Sequence, residues 1–346
     1  MTRLPIRIEK GVYIASSASA AGKNEKEGPL GSAFDAVSDD DRFGQDTWER
    51  AESEMQRLAL DAALGKADFD PSSLDAVFAG DLLNQCVASN YGLLSFGIPF
   101  FGLYGACSTA AEGLILASLF CGAGAKRCAA VTSSHFCSAE RQFRFPLEYG
   151  GQRTPTAQWT VTAAGAFILT DDRDDVRIDA SVRAIPRIAA VMPGIAVDRG
   201  IDDLSNMGAA MAPAAADTLT RYFSAGADPG EFDLIVTGDL GREGSEILRD
   251  LIASTGRDIT RNHVDCGMMI YDCDGTDRHA GGSGCGCSAA VMASNILPNV
   301  RAGVLKRVLF VGTGALMSPL TVNQKGTIPG IAHLCDITGE VTREAK

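Results

Sequence analysis

The chain lacks an excess of positive charge. Its 31 Lys and Arg stand against 43 Asp and Glu, a net charge of −12. Without a basic face there is no electrostatic footprint for nucleic acid, whose non-specific binding rests on phosphate neutralisation. The ten cysteines include no CxxC pair and none of the regular spacing of a small stapled domain. That usage suits a reducing, intracellular setting. The N-terminus, Met1 to Lys10, alternates charged with apolar residues and has no apolar core of a signal peptide; it reads as a first strand. A long unbroken apolar run is missing too. Residues 82–111 carry no charge, but Asn84, Gln85, Asn90, Pro99 and repeated glycines interrupt them, so they read as buried strands and a helix start, not a membrane span.

What the chain does contain is an internal repeat. Asp70-Pro71 through Gly80-Asp81-Leu82 answers Asp228-Pro229 through Gly238-Asp239-Leu240 at an offset of 158 residues. Further on, Cys107-Ser108-Thr109-Ala110 answers Cys287-Ser288-Ala289-Ala290, and Lys126-Arg127 answers Lys306-Arg307, at an offset of 180. Two matches in the same order imply a duplicated α/β unit. The halves are read as 1–172 and 176–346, the second holding 22 extra residues between Asp239 and Cys287, an added segment at about 241–280.

Coarse elements follow from the pattern. A helix opens at Asp46 with Glu49 as a capping pair, and buries Trp48, Met55, Leu58, Ala59, Ala62 and Ala63. Strands are predicted at 76–79, 98–104 and 128–132, with a helix at 110–120, then a helix near 207–223, strands at 234–237 and 308–311, and a helix at 287–297. Alternation of this kind implies a parallel sheet. Asn262 to Tyr271 reads as a candidate site loop and strand, and the Asp171–Asp175 run as a solvated joint.

Cys107 follows Tyr104-Gly105-Ala106, where small residues permit a sharp strand-to-helix turn. At a helix N-terminus a thiol is tilted toward thiolate, as a nucleophile needs. A small residue buried for packing explains the same cysteine equally well. His263, Cys266, Cys273, His279, Cys285 and Cys287 could suggest zinc, but their spacing holds no CxxC or HxxxH element, and the repeat already accounts for Cys287. Gly281-Gly282-Ser283-Gly284 lacks the Gly-Lys-Ser/Thr of a phosphate loop. No metal site is expected.

Two fused halves with Gly105-Ala106-Cys107-Ser108-Thr109 before one helix and Gly281 to Gly284 before the other resemble the thiolase and ketoacyl synthase superfamily. Within it, Glu27 to Gly31, Gly80 to Gln85, Ser133-Ser134-His135, Ala139 to Arg144, Glu148 to Gln152 and Ala209 to Asp217 resemble the stage V sporulation protein AD family over nearly the whole chain. The resemblance implies a thiolase-like α/β fold, two pseudo-repeated halves in a layered αβαβα arrangement. It also implies a binding component of the machinery that carries dipicolinic acid (pyridine-2,6-dicarboxylate), with its calcium, into the developing spore. On that reading the chain is a homodimer lying peripherally at the inner spore membrane beside membrane-embedded partner subunits.

The chain departs from the superfamily's enzymes in one respect. They pair the cysteine with two histidines, or a histidine and an asparagine, as base and oxyanion donors. The two loops concerned read Gly238-Asp239-Leu240-Gly241 and Gly281 to Gly284, with no histidine. A carboxylate accepts hydrogen bonds and cannot replace such a donor. No cofactor and no condensation are therefore expected. The candidate ligand-binding residues are Asp81, Asn84, Cys107, Ser108, Thr109, Ser133, His135, Arg141, Arg144, Gly282, Ser283 and Ser288. Hydroxyls and helix N-termini after Gly105 and Gly284 would meet the carboxylates, Arg141 or Arg144 would pair with them, and His135 would stack on the ring. Two alternatives stand beside this: an acyltransferase using Cys107, with His135 or His263 recruited from an unorthodox position, and an interaction scaffold with a vestigial cleft.

Overall fold

The computed structural model describes residues 4–143 and 153–342. The repeat appears in it as two five-stranded half-sheets of one topology within a continuous twelve-stranded sheet. The first consists of β1 (Tyr13–Ala21), β2 (Ala76–Gly80), β3 (Phe100–Leu103), β4 (Arg127–Ser134) and β5 (Ala163–Thr170), in the order β1-β5-β4-β2-β3. The second consists of β6 (Ala184–Met192), β7 (Leu234–Thr237), β8 (His263–Asp265), β9 (Arg307–Ala315) and β10 (Gly330–Val341), in the order β6-β10-β9-β7-β8. Each has two antiparallel junctions followed by two parallel ones. The halves join edge to edge where Tyr13 pairs with Arg187 and the Ile188 N–H donates to the Val12 carbonyl at 2.9 Å.

Sequence offset and strand register agree residue by residue. Ala76 lies opposite Cys128 and Leu234 opposite Val308, so the 158 and 180 offsets reproduce one ladder in both halves. The repeated Asp and Lys-Arg explain themselves here. Asp75 accepts the Lys126 and Arg127 backbone N–H groups at 2.6 and 3.2 Å, and Asp233 accepts those of Lys306 and Arg307 at 2.6 and 2.9 Å. Each arginine then forks onto a second carboxylate, Arg127 on Asp175 and Arg307 on Asp336. These contacts fix where β4 and β9 begin.

The helices form three layers around the two sheets. Helix α1 (Trp48–Ala67) covers the outer face of the first sheet and α3 (Met207–Ser224), backed by α4 (Gly241–Ala253), that of the second. Helices α2 (Thr109–Ala123) and α5 (Cys285–Val291) lie between the sheets, each against strands of both halves or of the opposite one. Both faces of the inner strands are therefore covered. Phe310 faces the central layer with Leu114 and Val291, whereas Leu309 and Val311 join the outer core of Met211 and Leu219. Strands buried on both sides read as continuous apolar runs, and this is why 128–132 and 308–311 showed no polar alternation.

Several local expectations shift. The α1 cap is Thr47, whose hydroxyl accepts the Arg50 N–H at 3.3 Å, not Asp46, and its buried face runs through Ala51, Glu52, Met55 and Gln56 while Trp48 stays partly exposed. The N-terminal strand shrinks to Ile6–Arg7, an edge pairing with β6. The helix after Gly284 continues through a π-turn (Met292–Ile296) into Leu297–Arg301. The Asp171–Asp175 joint does more than meet solvent: Asp171 pairs with Lys10 at 2.5 Å and Asp175 receives the Arg127 fork. The uncharged stretch is divided between a loop, the helix Val87–Leu93, edge strand β3 and the start of α2. Ala106–Ala123 is apolar and long enough to cross a membrane, but most of it is packed in the central layer.

A polar layer sits under α1. Glu52 accepts the Ser133 and Ser138 hydroxyls at 2.9 and 2.8 Å, while Gln56 Nε2 donates to Ser89, Ser133 and the Gly80 carbonyl. Full burial, and next the Asp81 charge, push the Glu52 carboxyl up to about 8. A folded-state value above the unfolded one means the folded chain holds the extra proton, so this stabilisation is complete below about pH 4.5 and is lost as pH rises through 8.

Two outcomes follow. Glu52→Gln should raise the unfolding midpoint at pH 9 more than at pH 5, as read by thermal unfolding; an equal change at both would show that Glu52 does not change protonation between them. Asp233→Ala should cost about 1 kcal/mol in denaturant unfolding, through the two N–H groups it leaves without an acceptor.

Candidate functional site

Parallel strands place their carboxyl ends side by side, and ligand sites of open α/β sheets gather there. β2 runs into Asp81-Leu82, β3 into Tyr104, β7 into Gly238-Asp239 and β9 into Leu316. Between those ends lies a cleft of about 350 Å³. Leu82, Asn84, Tyr104 and Cys107 wall it on the first half; Met207, Ser283 and the 315–319 segment wall it on the second.

Cys107 occupies a 3-10 turn, Ala106–Ser108, directly before α2, and only 6 % of its surface is exposed. The sharp turn is made by Ala106 at φ 52°, a left-handed conformation costly for any residue with a Cβ. Gly314 of β9 packs against this turn: a Cβ there would lie 3.0 Å from the Gly105 carbonyl and the Ser108 N–H. The second half thus presses the cysteine turn into the cleft. Cys287, its repeat partner, is fully buried, and burial drives its thiol well above the usual range. Only one of the two Cys-Ser turns reaches the cleft.

The loops after β7 and before α5, expected from the resemblance to lack histidine, are held by carboxylates. Asp239 is completely buried; Oδ2 accepts the Gly284 N–H at 2.9 Å, Oδ1 accepts the Thr313 hydroxyl at 2.8 Å, and its carbonyl accepts Gln158 Nε2 at 2.6 Å. Asp265 on β8 accepts Thr237 Oγ1 and the Leu240 and Gly241 N–H groups at 2.6, 2.8 and 3.0 Å. Burial, with the Asp239 charge behind it, lifts the Asp265 carboxyl to about 7. In the first half the equivalent Asp81 holds its own loop through Leu83 N–H and the Ser89 N–H and hydroxyl.

Of the candidate residues, Asn84, Cys107 and Ser283 line the cleft, with Gly282 beside Ser283 in the short ladder to Trp159–Thr160. Others turn elsewhere. Ser108 donates to the Gly105 carbonyl and Thr109 to that of Ala106, closing the turn instead of facing a ligand. Ser133 is committed to Glu52 and Gln56, Asp81 to its loop, and Ser288 is buried away from the cleft lining. The N-terminus of α5 is also taken, because Asp239 already supplies its negative charge at Gly284. His135 is fully buried, its Nε2 on the Asp41 carbonyl at 2.9 Å and its Nδ1 accepting Cys137 N–H, so ring stacking on a cleft ligand is ruled out. Burial also holds its pKa down. His263 contacts Thr237 and Arg249 and is pushed down to about 4. The 262–271 segment forms β8 and the short helix Cys266–Ile270, outside the cleft lining. The Arg141 side chain and Arg144 lie outside the described residues.

Sequence reasoning missed Tyr104, Thr160, Met207 and the Leu316–Pro319 segment. The last was within reach: extending the 308–311 strand to its carboxyl end leads to it. Among the described residues the lining carries no charged side chain and no histidine, and no group of three or more His, Cys, Asp or Glu is arranged to hold a metal ion. The described lining thus consists of apolar walls, a thiol, an amide and hydroxyls.

Comparison with known proteins agrees with this geometry. The family model "Stage V sporulation protein AD" matches residues 3–338. Stage V sporulation protein AD of Bacillus subtilis (strain 168) is 44 % identical over 327 residues, covering 94 % of each chain. Among solved structures, 3-oxoacyl-[acyl-carrier-protein] synthase III from Aquifex aeolicus VF5 superimposes with a TM-score of 0.52 at 14 % identity, over 95 % of this chain and 100 % of its own. Cerulenin-bound OleA of Xanthomonas campestris gives 0.59 at 14 % identity, over 98 % and 99 %. Those structures share the thiolase fold, and the sequence matches establish that this chain belongs to the stage V sporulation protein AD family.

Proposed function

We propose that this sporulation protein is a non-catalytic binder of dipicolinate, acting in its uptake into the developing spore. The observation that carries the reading is the Cys107 cleft, beside which a buried carboxylate, Asp239, stands at the loop where the family resemblance would put an oxyanion donor. Leu82, Met207 and Met317 suit the faces of a flat ring, and Asn84, Thr160, Ser283 and Ser318 can meet its carboxylates. A bare dianion in a cleft whose described lining has no cation would leave two charges desolvated and unpaired. A 1:1 calcium chelate is neutral, so calcium entering with the ligand would relieve that cost.

The same reading places the protein peripherally at the inner spore membrane with membrane-embedded partners, as a homodimer. Support for a second copy comes from β3, an edge strand bonded on one side only, near exposed Phe100, Phe101, Tyr104, Leu94 and Tyr91. Unprotected apolar edges of this kind attract another strand. Tyr104 belongs to both that edge and the cleft, so a second copy would narrow the cleft mouth.

Calorimetry should show saturable dipicolinate binding that calcium strengthens, and Cys107→Ala should weaken it about threefold to tenfold through lost contact. Absence of saturable binding with and without calcium would overturn the reading. Exposure to several acyl-CoA thioesters should leave Cys107 unmodified by mass spectrometry; a stable acyl adduct would favour the acyltransferase. Sedimentation should give a dimer that Leu94→Glu with Phe100→Glu converts to monomer, and a wild-type monomer would remove the edge-strand role.

A further inference from the structure

A second cavity, of about 530 Å³, shares no lining residue with the Cys107 cleft. It opens at the seam where the two sheets part. β1 meets β6 at Tyr13, and its far end pairs with the short strand Ala36–Val37; between them the Ala15 and Ser17 carbonyls face the edge that β5 does not cover. Cations take the strand's place. Arg301 Nη1 donates to the Ala15 carbonyl at 3.0 Å, Arg301 Nη2 to the Arg177 carbonyl at 3.0 Å, and Lys66 Nζ to the Ser17 carbonyl at 2.9 Å.

Capping carbonyls accounts for why these side chains are present, but it leaves their charge in place. The cavity is lined by Lys66, Arg177 and Arg301 against a single carboxylate, Asp179. Asp179 Oδ1 is already occupied by the Ser181 N–H and hydroxyl. The acids that pair with Lys66 and Arg177, Asp35 at 2.6 Å and Asp68 at 3.7 Å, lie outside the lining. Arg301 makes no ion pair among the described residues, and burial holds its pKa down. A guanidinium has five N–H donors, and among the described residues two of those on Arg301 are spent on carbonyls. The lining itself carries three cations and one acid, with Asp35 and Asp68 pairing two of those cations from outside it, so Arg301 is the cation with no ion pair among the described residues.

We propose that this seam cavity binds a small dianionic oxyanion, a dicarboxylate or a phosphate compound, gripped by the Arg301 fork with Lys66 and Arg177 at the rim. A planar fork matches the paired oxygens of either group, and desolvation of the arginine strengthens the contact. The site is independent of the dipicolinate cleft.

Malonate and pyrophosphate are the probes, titrated calorimetrically at low ionic strength, where exposed charges are least screened. Saturable binding of either is expected: malonate alone assigns a carboxylate ligand, pyrophosphate alone a phosphate. Arg177→Glu, at a 61 % exposed side chain, keeps the fold and should weaken binding about tenfold. Arg301→Lys keeps one charge and a donor for the Ala15 carbonyl but loses the fork, and should weaken it at least as much. Calcium dipicolinate binding in the Cys107 cleft should be unaffected by Arg177→Glu. If neither probe saturates, or both variants bind like wild type, the cations serve only to cap the strand edge and the proposal fails.

Discussion

The Asp239 carboxylate, buried between the Gly284 N–H and the Thr313 hydroxyl, holds together the second-half segments that wall the cleft. It ties the end of β7 to the glycine-rich loop before α5 and to β9, so three segments of the second half are fixed around one side chain. It supplies the negative charge that the α5 N-terminus attracts, which removes that terminus as a ligand site. Both of its oxygens accept hydrogen bonds and neither donates one.

The rest of the molecule supports that arrangement through duplication. One sheet topology used twice brings the carboxyl ends of β2, β3, β7 and β9 to a common region, and Asp75 and Asp233 set the start of the strands next to them. The halves diverge where function enters. Cys107 is pressed into the cleft by Gly314 behind it, whereas Cys287 is sealed in the central layer. At the opposite extreme, the seam between β1 and β6 leaves strand carbonyls that Arg301 and Lys66 must satisfy, and that requirement concentrates positive charge on an otherwise acidic chain.

Much of the fold was legible because the repeat is literal: the offsets between Asp81 and Asp239 and between Arg127 and Arg307 are the register of the ladders themselves. The Cys107 turn and the two loops without histidine were legible for the same reason. Side-chain direction was not. Ser108, Thr109 and Ser133 carry the right hydroxyls at the right places in the chain, yet each is consumed by a local carbonyl or by the Glu52 layer. His135 looked like a ring partner until the Asp41 carbonyl claimed its Nε2. Thr47 displaced Asp46 as the α1 cap by one position, an error that spacing alone cannot prevent. The seam cations were invisible because Lys66, Arg177 and Arg301 meet only through tertiary structure.

The central claim is that the Cys107 cleft is a binding site and not a reaction centre. A crystal structure of the protein soaked with calcium and dipicolinate tests it most directly. The account predicts one flat ring between Leu82 and Met317, its carboxylates toward Asn84 and Ser283, a calcium ion on its nitrogen side, and no covalent bond to Cys107. Ligand density that avoids this cleft, or a cleft that remains empty at saturating ligand, would contradict it.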